Sequence, residues 1–253
     1  MAVSLSFDLY RNPSSGKLES GYLPAVTKHI FLLAGQSNAV GRASIRSGID
    51  DDYTALGSRV FQYGYNAQSI SAATNPLDNV DEGAGTTGFW LGFARDHIAN
   101  IGATDQIIIV CGAEGDTGFA LNDWNPGNSL YESVITRVNA CIAAQSGVFS
   151  GVLWAQGAGD IGNASYLTQL TAMYNDMVSR ISGMTSSTPF LAASIGAHGV
   201  SGREDVNAKI SQFCTNIAAA VYIDCEDLPV LVDGVHWTAA GLETAGQRYA
   251  GAL

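Results

Sequence analysis

From residue 29 onward, short apolar runs alternate with longer stretches in which apolar positions recur every three or four residues. The runs at 30–34, 59–63, 106–111, 151–156, 190–195 and 221–224 have strand length. The stretches at 89–101, 130–145, 166–181, 205–220 and 239–250 carry the helical period. Strands that stay apolar on both faces and are separated by helices predict a parallel sheet covered on both sides. Loops at the carboxyl ends of such strands build the site in an open α/β sheet. Two segments, 44–52 and 66–87, hold neither period and read as long loops.

Residues 1–26 follow a different pattern. Positions 4–10 alternate polar with apolar, as a half-exposed strand does, and 12–17 is dense in turn-forming residues. This arm is expected to be a strand or hairpin, a linker from a preceding module, joined to one domain spanning 27–253.

Composition narrows the class. Hydrophobic residues make up 47% of the 253 and charged residues 14%, which supports one folded α/β domain and excludes a disordered chain. The formal charge of -11 argues against nucleic acid or an anionic membrane surface as a partner, since both attract clustered Lys and Arg. No apolar run is long enough to span a bilayer, and no secretory leader opens the chain. The four cysteines, Cys111, Cys141, Cys214 and Cys225, lack metal-ligand spacing. A Cys214–Cys225 bridge is left open by the sequence.

Candidate chemistry sits at strand ends. The run His29-Ile30-Phe31-Leu32-Leu33-Ala34-Gly35-Gln36-Ser37-Asn38 places a serine just beyond an apolar strand. There Ser37 is either a nucleophile whose own N–H helps bind an oxyanion, or a helix N-cap. Asp233 and His236 stand three residues apart, close enough for the acid to orient the imidazole and leave its other nitrogen to deprotonate a serine. A capping aspartate beside a packed histidine is the competing reading. His29, His97 and His198 lack such company and read as structural. Trp154-Ala155-Gln156-Gly157-Ala158-Gly159-Asp160 follows a strand and offers the Gln156 amide as an oxyanion donor. Cys111-Gly112-Ala113-Glu114-Gly115-Asp116-Thr117-Gly118-Phe119 offers backbone N–H groups. Neither segment matches a phosphate-binding loop.

These four segments resemble, in order, the conserved blocks of SGNH hydrolases of the sialate O-acetylesterase-like, carbohydrate acetylesterase branch. Gly35-Gln36-Ser37-Asn38 matches the nucleophile block GQSN. Gly115-Asp116-Thr117-Gly118 is similar to a GGTS-like segment, 154–160 to WxQGExD, and Asp233–His236 to DxxH. The chain departs from the pattern at Ala39, where Met is common, at Asp116 in place of a second Gly, and at Ala158 in place of Glu.

The resemblance implies a three-layer α/β/α sandwich of flavodoxin-like type around a central parallel sheet. It implies a serine esterase that removes O-acetyl groups from a polysaccharide or a sialic-acid-type glycan without metal or organic cofactor. Ser37, His236 and Asp233 are then the catalytic triad, and Ser37, Gly115 and Gln156 form the oxyanion hole. Tyr63, Tyr65, Trp90 and Trp124 are candidates for stacking on sugar, with core packing as the alternative. Two other readings stand beside this one: a glycan-binding module with a degenerate site, and a lipase or aryl esterase of the same fold. The arm before the domain and the low charge content resemble deacetylase modules of bacteriophage tails, which implies an extracellular or virion-associated setting and attachment to a larger tail or multidomain protein. A histidine base acts only when neutral, so acetate release measured between pH 5 and 8 is expected to rise through the ordinary imidazole range near 6.5. A flat profile would count against a histidine base.

Overall fold

The computed structural model describes residues 8–11, 18–21, 25–81, 85–196 and 201–253. In the arm, β1 (Asp8–Arg11) pairs antiparallel with β2 (Leu18–Gly21). The main domain then runs through β3 (Lys28–Gly35), α1 (Ser37–Val40), β4 (Ala43–Ser44), β5 (Val60–Tyr63), β6 (Ile70–Ala72), β7 (Thr86–Thr87) and α2 (Trp90–His97). It continues with β8 (Gln106–Cys111), α3 (Ser129–Gln145), β9 (Val148–Ala155), α4 (Tyr166–Arg180), β10 (Phe190–Ala193), α5 (Arg203–Asn216), β11 (Ala220–Ile223) and α6 (Ala239–Gly251).

Seven strands form one sheet in the order β11-β10-β9-β3-β8-β5-β6. The first six in that order are parallel, and β6 runs antiparallel to β5 at the edge. The sheet is therefore mixed, because part of the 66–87 segment turns back through Gly64–Gln68 to add an edge strand. The rest of that segment pairs β7 with β4 in a small antiparallel ribbon. Most of the expected elements shift at their ends, three of them by three residues or more. Strand β9 begins at Val148, three residues earlier than its apolar run, because its first residues lie partly in solvent. Helix α2 stops at His97, where the chain enters a turn. Helix α5 stops at Asn216, with Ile217 already in extended conformation to enter β11.

The strand side chains explain the three layers. Along β3, Ile30, Leu32 and Ala34 join a core with Val134, Leu170 and Phe213 of α3, α4 and α5. The alternate residues Phe31 and Leu33 join a second core with Phe93 of α2 and with Leu242 and Tyr249 of α6. On β8, Ile107 to Val110 are all fully buried and divide in the same way. A run apolar at every position is what burial on both faces requires. Each such side chain contributes about 1.5–3 kcal/mol by leaving water.

Helices α2 and α6 pack with almost no space between their backbones. A Cβ on Gly246 would overlap the Phe89 carbonyl and lie 2.8 Å from the carbonyl carbon of Gly92. Tyr249 from α6 then reaches across to donate its hydroxyl proton to the Trp154 carbonyl at 2.6 Å. The His236 loop runs from β11 directly into α6, so this packing anchors the end of that loop.

The cysteines are all free thiols, so the Cys214–Cys225 bridge does not form. Cys214 lies on α5, and burial raises its thiol to about 12. Among the described residues, no helix is long and apolar enough to cross a membrane.

The close α2–α6 contact yields a stability prediction. Gly246→Ala forces the helices apart and should cost about 2 kcal/mol, lowering Tm by roughly 4–8 °C for a domain of this size. Thermal unfolding followed by circular dichroism measures it, and an unchanged Tm would contradict the packing.

Candidate active site

Strand β3 lies between β8 and β9, and the chain visits β5 on one side before crossing to β9 on the other. The connections thus change direction at β3, which opens a crevice at its carboxyl end. Gly35 ends the strand at φ +128, and a Cβ there would lie 2.6 Å from the carbonyl carbon of Ala155 on β9. Only glycine permits both the backbone angle and the approach. The next residue, Gln36, donates its N–H to the Ala155 carbonyl at 2.9 Å, and the chain turns into α1.

Ser37 is the first residue of that short helix, whose cap position is Gln36. The N-cap reading of Ser37 therefore gives way. Its Oγ lies 2.9 Å from His236 Nε2, although 199 residues separate the two in sequence. His236 Nδ1 lies 2.8 Å from Asp233 Oδ2. Asp233 also caps its own turn, since Oδ1 accepts the N–H groups of Val235 at 2.9 Å and His236 at 3.0 Å. The two readings of this aspartate are both realised, one by each oxygen. Partial desolvation pushes the Asp233 carboxyl up, but the backbone N–H of His236, its imidazole and the N–H of Val235 together hold it at about 2. The group stays ionised at any ordinary assay pH. Any stabilisation it lends is in place above its usual 3.8 and is lost as pH falls through about 2.

The loop carrying His236 is fastened to the serine helix by Asn38. Its Oδ1 accepts the Trp237 N–H at 3.0 Å, and its Nδ2 donates to the Val235 carbonyl at 3.2 Å. One side chain thus grips the residues on either side of His236. Gln36 does the same for the β9 loop: Oε1 accepts the N–H groups of Gly157 and Gly159, each at 3.1 Å. Its amide nitrogen donates to none of the described residues. Both residues belong to the GQSN block, and the block's intact sequence was the signal for them. Their bracing roles needed the distances.

Asp160 is fully buried and accepts four N–H donors. These are the backbone N–H groups of Phe119 and Ala120 at 2.8 Å each, the Asn163 amide at 2.7 Å and the Gln156 amide at 2.7 Å. The second Gln156 amide proton goes to the Thr117 carbonyl at 3.3 Å. Exchanging the amide O and N would set Oε1 against a carboxylate and a carbonyl, so the assignment is secure. Gln156 is therefore spent as a brace, and the amide expected to face an oxyanion is turned into the protein.

A cavity of about 360 Å³ opens over Ser37, lined by Gln36, Ser37, Asp116, Ala158, Gly159, Asp233, Val235 and His236. Gly115 is not on this wall. The space beside its Cα is filled by the ion pair of Arg42 and Asp81, whose Oδ2 a Cβ would meet at 2.6 Å. The residue of this loop that reaches the cavity is Asp116, at φ +56. Aspartate is among the few residues that tolerate this left-handed conformation, which explains how it stands where the family pattern has Gly. The N–H groups of Ser37, Gly115 and Asp116 meet no acceptor among the described residues.

The aromatic candidates do not face this cavity. Trp90, Trp124 and Tyr63 are buried in the core, and the face of Tyr65 is covered by the Arg137 guanidinium 3.8 Å from its ring centre. His97 packs between Phe31 and Phe93, where burial lowers its pKa. His29 contacts Ser150 and Asp105. His198 lies outside the described residues. Among the described residues, no group of three or more His, Cys, Asp or Glu could hold a metal ion.

A serine, imidazole and carboxylate in series at the switch point of a three-layer α/β sheet are the groups that serine ester hydrolases use. Over residues 27–253 the chain matches the family model described as carbohydrate esterase, sialic acid-specific acetylesterase, and it belongs to that family. A protein from Arabidopsis thaliana has a similar solved structure, with TM-score 0.74 and 22% identity over 90% of this chain and 98% of that one. NanS is similar at TM-score 0.70 and 16% identity, covering 89% and 96%. Est24, a carbohydrate acetylesterase from Sinorhizobium meliloti, follows at 0.51 and 11%, covering 88% and 97%. At these identities the likeness shows the fold. No curated protein matches the chain by sequence. Family membership makes the protein a carboxylic ester hydrolase.

Asn38→Ala should release the His236 loop while leaving the sheet intact. Loss of two buried hydrogen bonds costs about 2 kcal/mol locally. The expected result is a 10- to 100-fold lower kcat with a smaller change in KM, as expected when catalytic groups are misplaced by about 1 Å. Steady-state kinetics on an aryl acetate reads it, and wild-type kcat would show that the loop holds itself.

Proposed function

We propose that the protein is a carbohydrate O-acetylesterase acting through an acetyl-enzyme, with Ser37 as nucleophile, His236 as general base and acid, and Asp233 as the group that orients the imidazole. The observation that carries this reading is the unbroken series of contacts from Ser37 Oγ to His236 Nε2 and from His236 Nδ1 to Asp233 Oδ2, at 2.9 and 2.8 Å. Both spacings suit direct proton transfer and tautomer control.

Ser37 Oγ attacks the acetyl carbonyl carbon as its proton passes to His236 Nε2. The tetrahedral intermediate collapses, the bond to the sugar oxygen breaks, and His236 returns the proton to that oxygen. Water then adds to the acetyl-enzyme with His236 again taking the proton. Acetate leaves and Ser37 regains its hydrogen. The N–H of Ser37 and of the Gly115-Asp116 turn are the backbone groups available to the oxyanion. The side-chain donor sought at Gln156 is reassigned to Gln36, whose amide protons are unspent and which lies on the cavity wall. Each donor of this kind is worth about 3 kcal/mol in the barrier.

Ser37→Ala is expected to abolish acetate release from an O-acetylated glycan and an aryl acetate, by a factor of about 10³ or more. Asp233→Asn, nearly isosteric, should lower kcat by about 10³- to 10⁴-fold with KM little changed. Acetate is followed by NMR on variants whose circular dichroism matches wild type. Wild-type turnover by a folded Ser37→Ala protein would sink the proposal. Tight glycan binding by the unaltered protein without acetate release would favour a binding module instead.

A further inference from the structure

The wall of the Ser37 cavity carries the carboxylates of Asp116 and Asp233 and no lysine or arginine. Asp233 is engaged by His236 and by two backbone N–H groups. Asp116 is different: it is exposed, and its carboxylate makes no hydrogen bond or ion pair with any described residue. The nearest cation on this side, Arg42, sits against Gly115 and is neutralised by Asp81. The segments 82–84 and 197–200 hold no lysine or arginine either. Among the described residues, the cavity wall thus offers an acidic sugar a free negative charge and no positive one.

Resting on the esterase reading above, we propose that Asp116 is a specificity-determining residue that excludes O-acetylated acidic sugars, sialic and uronic acids among them, and accepts a hydroxyl of an uncharged O-acetylated sugar. The assignment runs against the substrate in the description of the family model, which is a carboxylate-bearing sugar. Recognition of a sugar carboxylate ordinarily uses an arginine fork or a cluster of N–H donors. Asp116 supplies the opposite, an acceptor suited to sugar hydroxyls. Like charges placed together at a binding surface are a device for rejecting the wrong ligand. The φ of +56 sets the Asp116 backbone in a left-handed turn beside the cavity.

The test compares one sugar with and without its charge. Acetate release is measured from an O-acetylated sialic acid, from its methyl ester, and from an O-acetylated methyl glucoside, at low and at high salt. Wild type should favour the methyl ester over the free acid at least fivefold in kcat/KM at low salt, with the gap narrowing as salt is added. Asp116→Asn retains the shape and tolerates the left-handed turn, and should bring the ratio at least threefold closer to one. Asp116→Gly should do the same. A folding defect lowers both rates together and leaves the ratio readable. A wild-type enzyme that takes the free acid as well as the ester overturns the inference while the esterase reading stands. So does a ratio that neither variant moves. No acetate release from any of the three substrates overturns both.

Discussion

The arrangement at the end of the sheet depends on one buried charge. Asp160 has no cation beside it among the described residues, and its carboxylate is compensated by N–H donors alone. A buried charge without such partners costs several kcal/mol, so the four donors are obligatory. Two come from consecutive residues of the loop after β8, and two from side chains of the segment that leaves β9. The carboxylate thereby welds two loops whose strands are not neighbours, since β3 stands between them. Because Gln156 is one of the four, its amide is fixed, and through the Thr117 carbonyl it also fixes the turn that bears Asp116.

Around that weld, the nucleophile turn makes its own connections. Gly35 lets β3 end against the Ala155 carbonyl, and Gln36 uses the closeness to bind the N–H groups of Gly157 and Gly159. Asn38 extends the same turn to the His236 loop. Three consecutive residues therefore face three ways: one toward the β9 loop, one into the cavity, one toward the histidine. Preorganisation of this kind fixes the Ser37 hydroxyl relative to the His236 imidazole, and it resides largely in the side chains on either side of the serine.

Much of this frame was legible in the sequence, and for definite reasons. Runs such as Ile107 to Val110 announce a strand buried on both faces because nothing else needs apolar residues at every position. That Ser37, Asp233 and His236 would stand together in space was legible because each lies in a short block with its own local geometry. The Gln156 amide points elsewhere than expected because sequence gives the identity of a side chain and not its partner: both of its protons are held, by the Asp160 carboxylate and the Thr117 carbonyl. Asp116 and not Gly115 lines the cavity, a distinction hidden in the sequence, since the Arg42–Asp81 pair that fills the space beside Gly115 comes from segments distant in sequence. The edge strand Ile70–Ala72, partly exposed and only three residues long, lacks a periodic signal and forms because β5 offers it an unpaired edge. Tyr63 and Trp90 stand at the ends of elements next to loops and Trp124 in a loop, yet all three pack inward, as large aromatics generally do.

The departures from the family pattern gain meaning from their location. Ala158 and Asp116 both stand on the wall of the Ser37 cavity. Gln36, Asn38, Gln156 and Asp160, which make the frame, match the pattern. Two of the three departures thus stand on the cavity wall, the third, Ala39, is buried in the core, and the residues that brace the wall match the pattern. The left-handed turn at 116 shows how such a change is accommodated: the backbone keeps the conformation a glycine would favour, and aspartate is one of few side chains able to occupy it. Asp116 thus places a carboxylate at the cavity with little backbone strain, on a loop separate from the one that holds Ser37.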